Sequence, residues 1–271
     1  MRVLLTNDDG IDAEGLRALR RALLEYVSGI DLVVVAPDGN RSAMARSITI
    51  RRPLWVKDVT FEDGTVGYAT DGTPVDCVRL ANLGLVKDWA ADLIVSGINH
   101  GANLGDDISY SGTVAAAIEG VLLGIPGIAV SQQSTDLELN LTGGGEEFDF
   151  TNAATYTARL VADLQNVPLP PATLLNLNFP GREPEGVTVA KLGRRLYSDA
   201  LHLIERDAER GRLYGIYGDA SSDPDEVETD TAAVAAGRVA VTPLHFDLTH
   251  HESIASLAAH DLQRLLNEPA V

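Results

Sequence analysis

The chain has 271 residues, 45% of them hydrophobic, and a formal net charge of −18; it is long enough to bury a full core as one large domain or as a domain with an appendage. Its acidic balance excludes recruitment of nucleic acid or anionic membrane by surface charge, and a single cysteine, Cys77, excludes an internal disulfide and any cysteine-cluster metal site. The sequence opens on a strand pattern with no charged-then-apolar leader, and no later run reaches the length of a membrane span, so a cytoplasmic protein is expected.

Residues 2–6, short, branched and aliphatic, read as a strand buried on both faces of a parallel sheet. The apolar run stops at Asn7, and two adjacent carboxylates, Asp8 and Asp9, precede Gly10. The C-terminal edge of an open α/β sheet is where ligands bind. Side-by-side anions at that edge call for a neutralising partner, most simply a hard divalent cation such as Mg²⁺ or Mn²⁺, although Asn, Asp and Gly are also ordinary turn residues. A helix is predicted over about 13–27 from the spacing of Leu16, Leu19, Leu23, Leu24 and Val27. Residues 31–37 are a second buried strand ended by Pro37, and strand, helix and strand form a right-handed parallel unit. The loop that follows, from Asp38 to Ala43, should emerge beside Asp8 and Asp9 and makes Asn40, Arg41 and Ser42 candidates for metal or phosphate contact.

Residues 47–51, 54–59 and 65–70 read as short β segments, a hairpin excursion from the main sheet. Thr73 as N-cap and Pro74 at the first helical position start a helix through about Leu83, with Asp71 and Thr73 also candidates to face the site. Cys77, among apolar residues of that helix, reads as a small buried hydrophobe. Residues 92–96 form a third buried strand that opens a long loop with four glycines, from Gly97 to Thr113. A small-residue helix over 114–123 would place Ser111, Gly112 and Thr113 at its N-terminus, where free amides and the helix dipole attract an anion, and a phosphate group fits there. Neither a Walker sequence nor a G-x-G-x-x-G is present, so readings as a nucleoside-triphosphate or dinucleotide binder have no motif behind them.

A fourth strand is predicted over 127–131, a polar loop carrying Gly143, Gly144 and Gly145 over 132–147, a helix over 148–164 and a strand over 173–179. Beyond Pro180 the alternation weakens. Segments 187–192 and 213–217 and an acidic stretch at 221–230 precede a strand over 238–242 and a helix over about 253–266. The organisation read from this is a core over 1–180, an extension over 181–237 whose strands need a partner surface, and a C-terminal strand and helix over 238–271 that return to the core or to a partner subunit. An oligomer is the natural consequence.

Taken together, Thr-Asn-Asp-Asp-Gly at 6–10, Ala-Pro-Asp-Gly-Asn-Arg-Ser at 36–42, Thr-Asp-Gly-Thr-Pro-Val-Asp-Cys-Val at 70–78, and Ser-Gly-Ile-Asn through Tyr-Ser-Gly-Thr at 96–113 resemble the SurE family of survival-protein phosphatases. Leu-Asn-Leu-Asn-Phe-Pro at 175–180, Thr-Asp at 229–230 and Val-Thr-Pro-Leu at 241–244 agree, so the resemblance covers essentially the whole chain in order. It implies an α/β fold, a Rossmann-like three-layer parallel-sheet core with a C-terminal β-rich extension used in oligomerisation, as a homodimer or homotetramer. It also implies a metal-dependent 5′/3′-nucleotidase that hydrolyses nucleoside monophosphates to nucleoside and phosphate. The family's metal ligands fall on Asp8, Asp9, Ser42 and Asn99, and its phosphate-side residues on Asn40, Asn103, Ser111, Gly112 and Thr113. One divalent cation per subunit, Mg²⁺ or Mn²⁺, suits that all-oxygen set.

The chain departs from the family where Gly commonly follows the loop serine: that position is Ala43. If the backbone there has φ > 0, alanine costs about 1 kcal/mol. Asp8 and Asp9 are the expected catalytic pair, holding the metal while one orients or deprotonates water; an aspartyl-phosphate route is the alternative. His100, beside Asn99, is a candidate acid for the leaving alcohol but shows no sequence partner to fix its tautomer, so a structural role is favoured. His245, His250 and His251, near Asp247, suggest a second metal site less well than a solvated or oligomer-facing loop. A broader phosphomonoesterase or exopolyphosphatase, and a non-catalytic nucleotide-binding protein, are the alternatives to the nucleotidase.

Overall fold

Aliphatic runs short enough to cross a sheet alternate with amphipathic runs long enough to cover it, and the chain folds accordingly. The computed structural model describes residues 1–136, 147–197, 200–207, 209–216, 220–222, 227–260 and 262–267. The elements in order are β1 (Arg2–Thr6), α1 (Glu14–Tyr26), β2 (Asp31–Pro37), β3 (Val56–Thr60), β4 (Val66–Thr70), α2 (Pro74–Asn82) and β5 (Leu93–His100). A 3₁₀ turn (Gly105–Ser109), α3 (Gly112–Leu122), β6 (Gly127–Gln132), α4 (Thr151–Ala162), β7 (Thr173–Phe179) and β8 (Val187–Val189) follow. The chain continues with β9 (Arg195–Tyr197), β10 (His202–Asp207), β11 (Gly211–Gly215), β12 (Ala220–Ser222), α5 (Asp230–Ala235), β13 (Val239–His245), α6 (His251–Ala258) and α7 (Arg264–Asn267).

The main sheet has the order β3-β4-β2-β1-β5-β6-β7-β13-β8. Strands β4, β2, β1, β5, β6 and β7 are mutually parallel. The edges are antiparallel: β3 on β4, and β13 on β7 with β8 parallel beyond it. Alternation along β1 buries Val3 and Leu5 with Leu16, Leu19 and Leu23 of α1 and with Ala153, Ala154, Ala158 and Val161 of α4. Leu4, on the opposite face, meets Cys77, Val78 and Ala81 of α2 and Ala116 of α3. The result is a three-layer α/β fold with a double-faced sheet, in which each buried leucine contributes roughly 1.5–3 kcal/mol. The chain steps outward from β1 through β2 to β4, then returns to β5 on the other side of β1. This reversal opens a crevice beyond the carboxyl ends of β1 and β5.

Several expectations shift. Residues 47–51 form no strand, because their polar backbone groups bond to the start of α2: the Thr49 amide donates to Asp76 (3.1 Å) and the Thr73 hydroxyl to the Ser47 carbonyl (2.8 Å). Thr73 and Asp76 close a reciprocal capping box, which accounts for Thr73 as a helix cap, while Asp71 binds Arg52 and the Trp55 amide. β5 runs past Ser96 to His100 with a register shift against β6 between Ser96 and Asn99. There Gly97 has φ +140°, and a Cβ would lie 2.4 Å from the Val130 carbonyl. α4 starts at Thr151, so Phe148 and Phe150 precede it, and the last predicted helix is two pieces. Most of the Gly-rich loop over 132–147 and part of the acidic stretch over 221–230 lie outside the described residues.

Beyond residue 180, β13 and β8 join the main sheet, whereas β10–β11 and β9–β12 are separate antiparallel pairs. Leu203, Ile204 and Leu213 of β10–β11 are exposed. Among the described residues no helix is long and apolar enough to cross a membrane.

Candidate functional site

The loop after β1 is stitched before any carboxylate is placed. Asn7, fully buried, donates from Nδ2 to the Gly10 carbonyl (2.9 Å) and accepts the Gly10 amide on Oδ1 (3.2 Å). Gly10 has φ +110°, and a Cβ there would lie 3.0 Å from the Gly39 Cα, so the loops after β1 and β2 touch backbone to backbone. The Arg41 amide donates to the Asp8 carbonyl (2.6 Å), tying them further.

Asp8 is 3% exposed and points at the start of α3. Its Oδ1 accepts from the Thr113 hydroxyl (2.5 Å) and its Oδ2 from the Thr113 amide (3.1 Å). A Cβ on Gly112 would lie 2.8 Å from both Cβ and Oδ2 of Asp8, so only glycine leaves room for this approach. Ser111, the N-cap, accepts the Val114 amide on its hydroxyl (3.0 Å). The anion at this helix N-terminus is therefore Asp8 itself, and the Thr113 groups expected on a phosphate are spent on it. Burial, and next the charge of Asp9, nevertheless raise the Asp8 carboxyl to about 6, outweighing the Thr113 bonds that lower it.

Asp9 is held from the other side. Its Oδ2 lies 3.0 Å from His100 Nδ1 and accepts the His100 amide (3.2 Å), with the two side chains 7% and 29% exposed. The imidazole meets Phe148 and Phe150 edge-on, at ring-centroid distances of 5.1 and 4.9 Å. Burial pulls the imidazole down, but the Asp9 bond and the charges of Asp9, Glu14 and Asp8 leave it raised overall. His100 thus has the partner that the sequence did not show, contributed by a residue 91 positions away.

Asn99 reaches the same place from β5: its Oδ1 lies 3.4 Å from the Thr113 hydroxyl, and its Nδ2 donates to the Gly101 carbonyl (2.7 Å). Asn40 is exposed and accepts the Ser42 amide on Oδ1 (2.7 Å), an Asx-type turn that shapes the serine loop. Ser42 itself is exposed. The loop beyond it is pinned where Arg46 (2.6 Å) and Arg79 (2.8 Å) bind the buried Glu119 of α3. Asn103 is buried, donating from Nδ2 to Ser131 Oγ (2.8 Å), while its carbonyl accepts from Asn176 and Asn178. Its side-chain Nδ2 is thereby tied to the end of β6.

Ala43 has φ +57°, the left-handed region in which a Cβ is unfavourable. Ala43→Gly is expected to stabilise the fold by about 0.5–1 kcal/mol, after the higher unfolded-state entropy of glycine is taken off. Chemical denaturation checks this; an unchanged or lower midpoint would count against strain there.

Asn7 and Asp230, both inside motifs quoted above, carry parts of the framework to which the sequence assigned no role. Asp230 is fully buried and accepts the amides of Gly105 (2.9 Å), Gly193 (2.8 Å) and Thr231 (2.8 Å), clamping the loop before α3 to the C-terminal segment. A Thr-Asp pair at a helix start gives no sign in the sequence of such distant donors. Cys77 is buried, and burial raises its thiol pKa. His251 pairs with Asp247 (2.8 Å) and His250 caps Ser253. Among the described residues no three His, Cys, Asp or Glu side chains gather as a metal cluster.

Residues 3–199 match the family model described as survival protein SurE. The chain is 50% identical over 270 residues to the 5′-nucleotidase SurE of Rubrobacter xylanophilus, covering 98% of this chain and 99% of that one. It is 43% identical to that of Carboxydothermus hydrogenoformans, covering 95% of each. The crystal structure of the SurE protein from Aquifex aeolicus superposes with a TM-score of 0.78 at 36% identity, covering 99% of this chain and 100% of that one. With its paired aspartates set in the crevice between β1 and β5 and a match that runs over nearly the whole chain, the chain belongs to the SurE survival-protein family.

Proposed function

We propose that this protein is a metal-dependent 5′/3′-nucleotidase, a phosphoric monoester hydrolase that cleaves nucleoside monophosphates to nucleoside and phosphate by attack of water. The observation that carries the reading is the pair of buried Asp8 and neighbouring Asp9, its side chain 7% exposed, at the crevice where the strand order reverses. Its full-length relatives named as 5′-nucleotidases supply the substrate class.

A divalent cation fits the residues. Two adjacent carboxylates, one raised by burial and by its neighbour, are costly without a counter-charge, and Asn99 and Ser42 add neutral oxygens of the kind Mg²⁺ and Mn²⁺ accept. Asp8, Asp9, Ser42 and Asn99 would hold it. When bound, such an ion supplies Lewis acidity toward a phosphate oxygen and toward water. Asp8, fixed by Thr113 at the α3 N-terminus, keeps its position through turnover. Asp9 receives both His100 bonds on Oδ2, which leaves Oδ1 to hold the cation and orient water beside it. Asn40, Asn103, Ser111 and Gly112 remain the groups for the phosphoryl oxygens, with Thr113 acting through Asp8. The exposed apolar residues of β10–β11 support assembly as a homodimer or homotetramer.

Phosphate release from nucleoside 5′- and 3′-monophosphates, sugar phosphates and polyphosphate, with Mn²⁺, Mg²⁺ or chelator, tests the reading. Metal-dependent release mainly from nucleoside monophosphates is expected. Equal release from the other substrates would replace it with a broader phosphomonoesterase or exopolyphosphatase, and no release from any would leave a nucleotide-binding protein.

A further inference from the structure

We propose that His100 is a positioning residue: its Nδ1–H, with its own backbone amide, fixes Asp9 Oδ2 so that the other Asp9 oxygen faces the crevice beside Asp8, ready for a cation. The inference rests on the metal-dependent reading above and adds a residue to it. One residue supplies both donors to a single carboxylate oxygen, at 3.0 and 3.2 Å. Asp8 and Asp9 are neighbours of like charge, and an unrestrained Asp9 would lower the repulsion by turning out to water. The donors of His100 oppose that turn before a cation is present.

The imidazole is itself held. Phe148 and Phe150 stand nearly perpendicular to it, at interplanar angles of 90° and 83°. These two rings stack on each other at 5.7 Å, and the chain between them leads directly into α4. The ring plane, and with it the direction of Nδ1–H, is thereby set by the layer that α4 forms with α1. Ring orientation fixed by packing and a proton aimed at a ligand carboxylate are the usual parts of a support shell around a metal, whose loss typically costs about 10–100-fold in affinity.

Three variants separate the hydrogen bond from the ring. His100→Asn keeps an N–H near the place of Nδ1, because asparagine Nδ2 sits on Cγ as histidine Nδ1 does, but it removes the ring. His100→Phe keeps the ring and removes the side-chain donor. His100→Ala removes both. Mn²⁺ affinity is read by titration calorimetry and by the electron spin resonance of free Mn²⁺, without substrate. Wild type is expected to bind one Mn²⁺ per subunit, His100→Asn to stay within about threefold, and His100→Phe and His100→Ala to weaken by about 10–100-fold. His100→Phe binding as tightly as wild type would overturn the positioning role alone. Absence of Mn²⁺ binding in the wild type would overturn the metal-dependent reading and this inference with it.

Discussion

Replacing Asp8 by Asn is expected to abolish phosphate release and, in chelator at pH 8, to raise the thermal midpoint. The two effects have one cause. Asp8 is buried beside Asp9, and the fold carries its charge at a cost, expressed as a carboxyl raised from 3.8 to about 6 by burial and next by Asp9. At about 1.4 kcal/mol per pKa unit the penalty is on the order of 1–3 kcal/mol, or roughly 2–8 °C in a chain of this size. Asparagine can keep both partners: its Oδ1 accepts the Thr113 amide, and its Nδ2 donates to the Thr113 hydroxyl oxygen. Because the folded pKa is the higher one, the penalty is full above it and gone below the unfolded value. The gap between Asp8→Asn and wild type should therefore close as pH falls from about 7 to about 4. Activity should drop by at least about 100-fold, and by a similar factor in Asp9→Asn. A midpoint for Asp8→Asn below wild type at pH 8, or turnover within tenfold of it, would sink this account.

Gly112→Ala carries the second large effect, and its sign runs against helix propensity. Alanine for glycine within a helix normally gains about 1 kcal/mol. Here the new methyl would sit 2.8 Å from Asp8 Cβ and Oδ2 and 3.2 Å from Cγ, so either the carboxylate or the first turn of α3 must move. A net loss of about 1–3 kcal/mol is expected, together with about a 100-fold fall in kcat/KM from displacement of Asp8 by a fraction of an ångström to an ångström. Denaturant midpoints and steady-state kinetics on the one variant decide it. A stabilised, fully active Gly112→Ala would show that Asp8 does not need the contact with α3 that the structure gives it.

The two predictions differ in how much of their basis can be seen along the chain. That Asp8 and Asp9 stand at a sheet edge follows from β1, whose aliphatic run ends at Asn7. β2 and β7 are equally plain, since Asp31–Pro37 and Thr173–Phe179 have the boundaries expected from their apolar runs. Elements whose backbone partners are side chains elsewhere were not legible. Residues 47–51 alternate like a strand but bond to Asp76 and Thr73, and Phe148, periodic with α4, packs on His100.

Architecture and the chemical types at the site can be read along the chain. Side-chain periodicity specifies which faces are buried, and carboxylates, amides and hydroxyls at strand ends specify oxygen chemistry wherever they meet. Which polar atom meets which is settled by the packing of distant segments. The Thr113 hydroxyl goes to Asp8 and the His100 imidazole to Asp9 across about a hundred residues of chain, while Asn103 Nδ2 goes to Ser131. A buried donor or acceptor must find a partner, but the nearest one is set by strand order and helix placement, quantities to which every distant segment contributes and which no local motif encodes.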